Sequence, residues 1–513
     1  MRRILLCILT LSLTGIMVRT ASAQDALGEL RQDPDKERAI AKALKGLSKY
    51  FNSKTGPSKR ELSLQQFTQW MEESEQVLGV GVLKNPSLMV ELFDQGRAMA
   101  KNHWPKIGRG LQYFGETSDN FRGFAYHVPK DYKAFDKKAP SKRWPVIVSM
   151  HGRAVNRKHP ALRKNFQERG RLAIHDYWLK SPLLQKAIIT APTGLPTGFD
   201  FDAKFRADRK AYQLTVKRAI TNFRGDWNRV WVETHTGGLR LACSDHGFAS
   251  GFIVRGGILP KEQFFALSNV TSTPMVYVKA PDYAATAAVV EALTAAYAKA
   301  DASGYLLVLE GKRAKDGALQ TSAEDAQKMA DFILAAPPTG ARKEFNWRFF
   351  TDAMKVPAPI VDMGANFFYN KDQPLEKTAG RVNWKIKREM VDVAGKGQKI
   401  PVSRIEIEAT ECEFLTFMIR EDQIPLADPV TVVVNGKVVI ENKLIKRDLN
   451  WFLENVLAGR FIMMPYTAML TIEFPLKSEF TDKKEDGKEG ADGAEAGANT
   501  GAGDDSETEK KAD

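Results

Sequence analysis

The chain has 513 residues, of which 43% are hydrophobic and 27% charged, and a formal net charge of +13. This composition is typical of a globular protein that buries a core, and the length predicts two or three domains. The cysteine count excludes a disulfide framework, because only Cys243 and Cys412 lie beyond the N-terminal apolar run that contains Cys7. At most one bridge is therefore expected.

The N-terminal residues have the pattern of a secretory signal peptide. Two arginines precede an apolar run over 4–18, and small residues at 21–23 follow it as in a cleavage site. The run ends at Arg19 after about fifteen residues, fewer than the roughly 18 that a bilayer span needs. We therefore predict a signal peptide over 1–23 and an exported mature protein, periplasmic or extracellular.

The charge is distributed unevenly along the chain. Residues 477–513 contain 12 acidic and 6 basic side chains and almost no apolar ones, which predicts a disordered acidic tail. The chain before this tail is more basic than the net charge suggests, and such a surface attracts an anionic polymer or the lipid of an envelope. No compact run of basic residues with interleaved aromatic residues is present, so no specific nucleic-acid binding is predicted.

The periodicity of apolar residues divides the chain into regions. Spacings of three and four residues predict a helical region over 24–110, and short β-type runs then alternate with helical stretches over 111–340. Strands that alternate with helices favour a parallel sheet covered on both faces. The predicted strands are 124–129, 146–150, 187–191, 230–234, 252–254, 275–279 and 305–310, and the predicted helices are 209–223, 286–300 and 323–334.

The segment 341–476 is predicted to form a small β-rich α+β module. Asn435-Gly436 between two alternating runs indicates a hairpin, because both residues tolerate the positive φ of a type I′ turn. The predicted strands are 405–409, 415–419, 431–434, 437–441 and 468–474, and a helix is predicted over 447–457.

Three strand ends carry motifs of a known family. A strand runs into His151-Gly152, a second runs over 228–235 into Gly237-Gly238, and a third covers 273–278. They resemble the oxyanion-hole turn, the strand entering the nucleophile elbow and the strand that delivers the triad acid in the α/β-hydrolase superfamily. The resemblance covers roughly residues 115–340 and is nearest to secreted esterases, depolymerases and the prolyl-peptidase-like branch. It implies a doubly wound α/β-hydrolase-like sheet.

The C-terminal module has a resemblance of its own. Residues 428–437, together with the helical N-terminal region, resemble the arrangement that such proteins have in planctomycete bacteria.

The catalytic positions depart from the family pattern. His235 stands where the resemblance places the nucleophile, and Glu233 replaces the glycine two residues before it. Asp282 is near the acid position, but Lys312-Arg313 stand where the catalytic histidine is expected, and no histidine follows residue 246. Loss of the serine or histidine of such a triad costs on the order of 10⁶ in turnover. The triad is therefore degenerate, and ordinary serine-hydrolase activity is not expected.

The residues expected around the former active site leave three interpretations open. They are His151, Gly152, Arg153, Glu233, His235, Thr236, Gly237, Asp282, Tyr283, Lys312 and Arg313. They form a satisfied polar cluster in which Glu233 pairs with a cation, or an anion-binding pocket that includes helix N–H groups near Thr236. The third interpretation is new chemistry, with His235 as nucleophile or base beside Glu233, or with a metal on His151, His235 and Asp282. Metal-ligand spacing is not readable, so no metal or cofactor is predicted.

The sequence thus predicts an exported pseudohydrolase that binds a small or polymeric anionic ligand, or a partner, through the former active-site pocket. The alternative is an active esterase- or peptidase-like hydrolase with a rearranged site. A third class is a structural component of the envelope, with peripheral envelope contact, in which residues 381–476 mediate assembly. No feature of the sequence indicates an oligomeric state.

Overall fold

The fold is described from a computed structural model. The description covers residues 30–52, 107–113, 123–133, 142–150, 176–192, 205–235, 237–245, 249–313, 319–339, 343–349, 360–364, 380–392, 399–410, 412, 414–420, 423–446 and 466–474, together with the single residues 69, 76, 88, 91, 92, 95, 96 and 99.

The N-terminal region contains an amphipathic helix, α1, over Pro34–Asn52. The carboxylate of Asp33 caps it, since Asp33 Oδ1 accepts the N–H group of Asp35 at 3.0 Å. Ile40 and Leu44 are four residues apart and both buried, so they share the inward face of the helix. A helix thus forms where the apolar spacing predicts one.

The central part of the chain forms an eight-stranded sheet in the order β1-β2-β4-β3-β5-β6-β7-β8. The strands are β1 (Gly108–Tyr113), β2 (Gly123–Val128), β3 (Trp144–Ser149), β4 (Ile188–Pro192), β5 (Gly225–His235), β6 (Gly251–Arg255), β7 (Met275–Lys279) and β8 (Leu306–Glu310). β2 is antiparallel to both of its neighbours, and every other pair in the sheet is parallel. The expected α/β-hydrolase-like sheet is confirmed.

Helices cover both faces of this sheet. They are α2 (Asp176–Leu179), α3 (Phe205–Phe223), α4 (Gly238–Asp245), α5 (Ala285–Lys299) and α6 (Ala323–Ala335), with 3₁₀ helices at Pro182–Gln185, Lys261–Val270 and Ser303–Tyr305. Val146 and Val148 face the core under α3, α4 and α5, whereas Ile147 faces the core under α2 and α6. Neighbouring residues of a strand point to opposite faces, so strands that are buried on both faces read as continuous apolar runs.

Each strand and helix predicted for the central region coincides with an element of the structure, within a few residues at the ends. β1 is the exception that the apolar pattern does not show. Its sequence, Gly-Arg-Gly-Leu-Gln-Tyr, has no alternation, and the antiparallel partner β2 supplies the pairing that makes it a strand. The predicted boundary at residue 111 therefore falls inside β1.

The C-terminal region consists of two antiparallel-rich sheets around a separate core. A short pair, β9 (Lys312–Arg313) and β10 (Leu319–Gln320), precedes them. The order of the five-stranded sheet is β11-β13-β14-β16-β17 and that of the three-stranded sheet is β12-β15-β18. The strands are β11 (Glu344–Phe349), β12 (Ile360–Gly364), β13 (Gly380–Asp392), β14 (Lys399–Thr410), β15 (Phe414–Arg420), β16 (Val430–Val434), β17 (Lys437–Lys443) and β18 (Tyr466–Glu473). The β-rich character predicted for this region is confirmed.

The predicted hairpin turn is confirmed as well. Asn435 and Gly436 have φ values of 47° and 82°, as a type I′ turn requires, and they join β16 to β17. The helix predicted over 447–457 and the acidic tail over 477–513 lie outside the described residues.

Asn269 joins β11 of the β-rich region to helix α4, which packs on the central sheet. Its side chain is fully buried, accepts the N–H group of Arg348 in β11 at 2.7 Å and donates to the carbonyl oxygen of Arg348 at 3.1 Å. The same amide donates to the carbonyl oxygen of Cys243 in α4 at 3.0 Å. One side chain thus holds the edge of β11 and the end of α4 together.

Two further expectations concern the cysteines and the membrane. Cys243 is buried and Cys412 is half-buried, and no disulfide joins them, so the one bridge that the sequence allows is not formed. Among the residues described above, no helix combines the length and the apolar character that crossing a membrane requires.

Candidate functional site

Strand β5 and helix α4 approach each other closely where the resemblance places the nucleophile elbow. β5 ends at His235 and α4 begins three residues later at Gly238. A Cβ atom on Gly238 would lie 2.0 Å from Oγ1 of Thr234, a distance that no side chain allows, so the glycine permits the close approach of helix and strand. His235, half-buried, is the last residue of β5 and is paired in register with Arg255 of β6.

Glu233 lies on β5 two residues before His235 and is completely buried. Its Oε1 accepts from Arg255 Nε at 2.5 Å and from the Tyr177 hydroxyl at 2.6 Å. Its Oε2 accepts from Trp178 Nε1 at 2.6 Å and from the Ser149 hydroxyl. Each carboxylate oxygen therefore has two described donors, which is the condition under which a buried charge is tolerated.

The donors to Glu233 come from three separate elements. Ser149 ends β3 and is paired in register with Glu233, and Arg255 ends the neighbouring strand β6. Tyr177 and Trp178 are on the short helix α2. The carboxyl ends of two strands and a helix that packs over them thus converge on one carboxylate, in the position where open α/β sheets bind ligands.

The electrostatics of this cluster keep Tyr177 neutral and Arg255 charged. Burial, and then the charge of Glu233, raise the pKa of Tyr177 well above its ordinary value, so the phenol stays protonated and remains a donor. Burial lowers the pKa of Arg255, but Tyr177 and Glu233 raise it by more, and the net pKa is above its ordinary value. The guanidinium also lies over the ring of Tyr177, with Cζ 4.2 Å from the ring centre.

A second set of charged residues lies at the ends of β7 and β8 and in the residues that follow them. Lys279 and Glu310 are paired in register, with Nζ 3.2 Å from Oε1. Three residues further along each strand end, Arg313 Nε donates to Asp282. A hydrogen bond from Gly311 N to the Lys279 carbonyl oxygen, 2.9 Å long, holds the two loops side by side.

Arg313 therefore occupies the position at which the resemblance places the catalytic histidine, and it contacts the residue at the acid position. The hydrogen bond from Arg313 lowers the pKa of Asp282, so this carboxyl group is ionised at neutral pH. A guanidinium is already protonated at neutral pH and cannot accept a further proton, whereas the imidazole of a catalytic triad must accept one.

The structure brings only some of the expected site residues together. Glu233 lies in a buried polar cluster in which Arg255 is its cation, and because it has no exposed surface it does not line an open pocket. Asp282 and Arg313 pair with each other, Lys312 is exposed beside them, and Tyr283 is 45% exposed. Gly237 lies in the turn before α4. His151, Gly152, Arg153 and Thr236 lie outside the described residues.

Sequence reasoning missed Arg255, Ser149, Tyr177 and Trp178. One signal for Arg255 is present, since it directly follows the apolar run 252–254 of a central strand, where a charge needs a buried partner. The neighbouring strand supplies that partner in Glu233. The two aromatic residues carry no such signal, because their contacts depend on where α2 packs.

A metal site is the remaining interpretation. Within the ranges described above, no three His, Cys, Asp or Glu side chains are grouped so that they could hold a metal ion. The candidate formed by His151, His235 and Asp282 includes a residue outside those ranges and stays a hypothesis.

Comparisons with known proteins find esterases at low similarity. No family model and no curated protein matches the sequence. One similar solved structure is Thermogutta terrifontis esterase 2 phosphoramylated by tabun, with 16% identity over 45% of this chain and 95% of that chain and a TM-score of 0.29. The native form of this thermophilic esterase from a Planctomycetes species has 14% identity over 44% and 91%, with a TM-score of 0.29. The BES protein from Bacillus cereus has 11% identity over 46% and 98%, with a TM-score of 0.29.

These values are too low to carry an inference about activity. The order and direction of the eight strands of the central sheet define the fold class of this protein as α/β-hydrolase-like.

Proposed function

We propose that this protein is an exported, non-hydrolytic protein with an α/β-hydrolase-like fold, which binds an anionic ligand or partner of the cell envelope at the carboxyl end of its central sheet. The observation that carries the proposal is the ion pair between Asp282 and Arg313. It joins the acid position to an arginine at the place of the catalytic histidine, so the proton relay of a serine hydrolase has no acceptor there.

The exposed surface next to this pair supports an anionic ligand. Lys312 and Arg313 are exposed in the short strand β9, which follows β8, and Lys279 at the end of β7 is partly exposed. Ligands of open α/β sheets bind at this end. Basic side chains at such a position attract carboxylates, phosphates and sugar acids.

The hydrolysis of p-nitrophenyl acetate and butyrate tests the absence of catalysis. We expect the purified mature protein and His235→Ala to hydrolyse both esters at the same background rate. The rate with free imidazole is subtracted, because a histidine side chain hydrolyses such esters without any active site. Turnover well above that background in the wild type, and lost in His235→Ala, would instead support the alternative of an active hydrolase that uses His235.

A thermal-shift measurement tests the ligand class. We expect glucuronate or phosphate to raise the melting temperature of the wild type and not that of Lys312→Glu. Lys299→Glu changes the same charge at the far end of α5 and is the matched control. Equal shifts in all three proteins would contradict binding at the carboxyl end of the sheet.

Export is tested separately. Expression of the full chain in a bacterium with a periplasm should yield a mature protein that begins at Gln24, which N-terminal sequencing would detect. A cytoplasmic protein that retains residues 1–23 would contradict the predicted signal peptide.

A further inference from the structure

The donors around Glu233 form a cradle that is defined here as Ser149, Tyr177, Trp178 and Arg255. The cradle is built for a planar carboxylate, because it offers two donors to each of two oxygens. One of these donors is a fully buried guanidinium, whose Nε lies 2.5 Å from Oε1 of Glu233. Such charge-assisted contacts are roughly twice as strong as neutral hydrogen bonds.

Contacts other than those with Glu233 also hold the cradle in place. Arg255 Nη1 donates to the carbonyl oxygen of Leu319 at 3.2 Å, and its guanidinium lies over the ring of Tyr177. Trp178 Nε1 is 3.1 Å from the Ser149 hydroxyl, and the Trp178 ring is part of the core under α2 and α6. The donors would therefore keep their positions if the Glu233 carboxylate were removed.

The cradle also has more donors than Glu233 uses. Arg255 Nη2 is buried and has no hydrogen-bond partner among the described residues. A buried guanidinium with an unused N–H group favours a negatively charged group beside it. Glu233 thus satisfies most, but not all, of the donor capacity at this end of the sheet.

We infer that the cradle is a carboxylate-binding site that the chain occupies with its own Glu233 side chain, and that a small external carboxylate of the formate or acetate class binds there when this side chain is absent. Glu233 acts as an internal ligand and excludes external ones in the wild type. The inference does not rest on the proposed function, because it concerns the buried cradle and not the exposed surface at Lys312.

The test is chemical rescue of Glu233→Ala. This variant leaves Arg255 buried without its counter-ion, so we expect its melting temperature to fall by about 5–10 °C. Sodium formate at roughly 100 mM should raise the melting temperature of the variant by about 2 °C or more over sodium chloride at the same ionic strength. The wild type should show no such difference at this site.

Three comparisons make the rescue specific. Glu233→Gln keeps the shape of the side chain and should not respond to formate, because its amide fills the cradle. Asp428→Ala is the matched control, since it removes a buried carboxylate whose partner Arg388 is 59% exposed, so water replaces the lost partner. Glu233→Ala with Lys312→Glu should be rescued as well as Glu233→Ala alone, which separates this site from the surface of the proposed function.

Equal melting temperatures of Glu233→Ala in formate and in chloride would overturn the inference, and so would an equal response of Asp428→Ala. If Glu233→Ala does not accumulate as a folded protein, its refolding yield from urea is compared in formate and in chloride. A higher yield in formate supports the site, and equal yields overturn it.

Discussion

Two arginine–carboxylate pairs lie towards the carboxyl ends of the central strands and differ in how deeply they are buried. The side chains of Glu233 and Arg255 are both 0% exposed, whereas those of Asp282 and Arg313 are 52% and 47% exposed. In each pair the Nε atom of the arginine donates to the carboxylate. The residue chemistry is the same, so solvent access decides what each pair contributes.

This difference in burial determines whether an ion pair contributes to the stability of the fold. A buried charge that loses its partner stays in a medium of low dielectric constant, and the fold bears the full cost. An exposed charge that loses its partner is solvated by water, so the pair contributes little to stability. The region around Glu233 is therefore constrained by the fold, while the region around Asp282 is available for ligand contacts.

The largest expected change in stability comes from replacing Arg255, the cation of the buried pair. Arg255→Met leaves Glu233 charged and buried, and should lower the free energy of unfolding by about 3–5 kcal/mol. Adding Glu233→Gln to Arg255→Met should restore part of this loss, because the double variant contains no unpaired charge. Urea denaturation of the wild type, both single variants and the double variant measures the coupling. A single variant Arg255→Met as stable as the wild type would show that burial does not distinguish the two pairs.

A neutral buried contact should have a smaller effect. Asn269→Ala removes the hydrogen bonds from this side chain to the N–H and C=O groups of Arg348 and to the carbonyl oxygen of Cys243, which should cost about 2 kcal/mol. Urea denaturation gives the loss, and limited proteolysis reports whether the β-rich region becomes accessible before the central sheet. Asn269→Leu, of similar volume, separates the lost hydrogen bonds from a cavity. If it is as stable as the wild type, these hydrogen bonds contribute nothing.

The buried thiol of Cys243 should make the stability of the protein depend on pH. Burial raises the pKa of Cys243 from 9.0 to about 12. Because the folded-state pKa is higher, the unfolded chain loses this proton first, so stability falls as the pH rises from about 9 to about 12. We expect the wild type to lose more stability than Cys243→Ala between pH 8 and 11, as thermal melts would show. Parallel curves for the two proteins would contradict a buried, protonated thiol.

The smallest expected effect is at the exposed pair. Asp282→Asn should leave the melting temperature at pH 7 unchanged within error, because both partners are in contact with water. Arg313 lowers the pKa of Asp282, so any contribution is present above the ordinary pKa of 3.8 and is lost as the pH falls below it. Melts at pH 7 and pH 3 test this prediction. A loss as large as that of Arg255→Met would remove the distinction between the two pairs.

Most of the strands and helices that were predicted correctly can be recognised from the local spacing of apolar residues. Strands buried on both faces, such as 275–279, appear as short apolar runs, and a long helix such as α5 appears as a periodic one. β1 was not predicted, because its glycines interrupt the alternation and pairing with β2 makes it a strand. β11, Glu-Phe-Asn-Trp-Arg-Phe, alternates strictly between polar and apolar residues, and this signal was missed. The type I′ turn at Asn435-Gly436 was predicted because two adjacent residues determine it.

The candidate site was predicted less completely, for a physical reason. The residues at the positions where the resemblance places the nucleophile and the catalytic histidine, His235 and Arg313, can be read from the sequence alone. The partners of Glu233 cannot, because Ser149, Trp178 and Arg255 are 84, 55 and 22 residues away along the chain. Glu233 was expected with a nearby cation, but Arg255 was not named.

The sequence by itself determined the alternation of strands and helices, the β-rich C-terminal region and which residues stand at the positions that the resemblance compares. These follow from local periodicity and from residue identity. Only the tertiary structure decided that Glu233 is an internal counter-ion and that Asp282 is paired with Arg313. Burial and ion pairing depend on which distant side chains the packed strands and helices bring within hydrogen-bond distance, and that distance is a property of the fold.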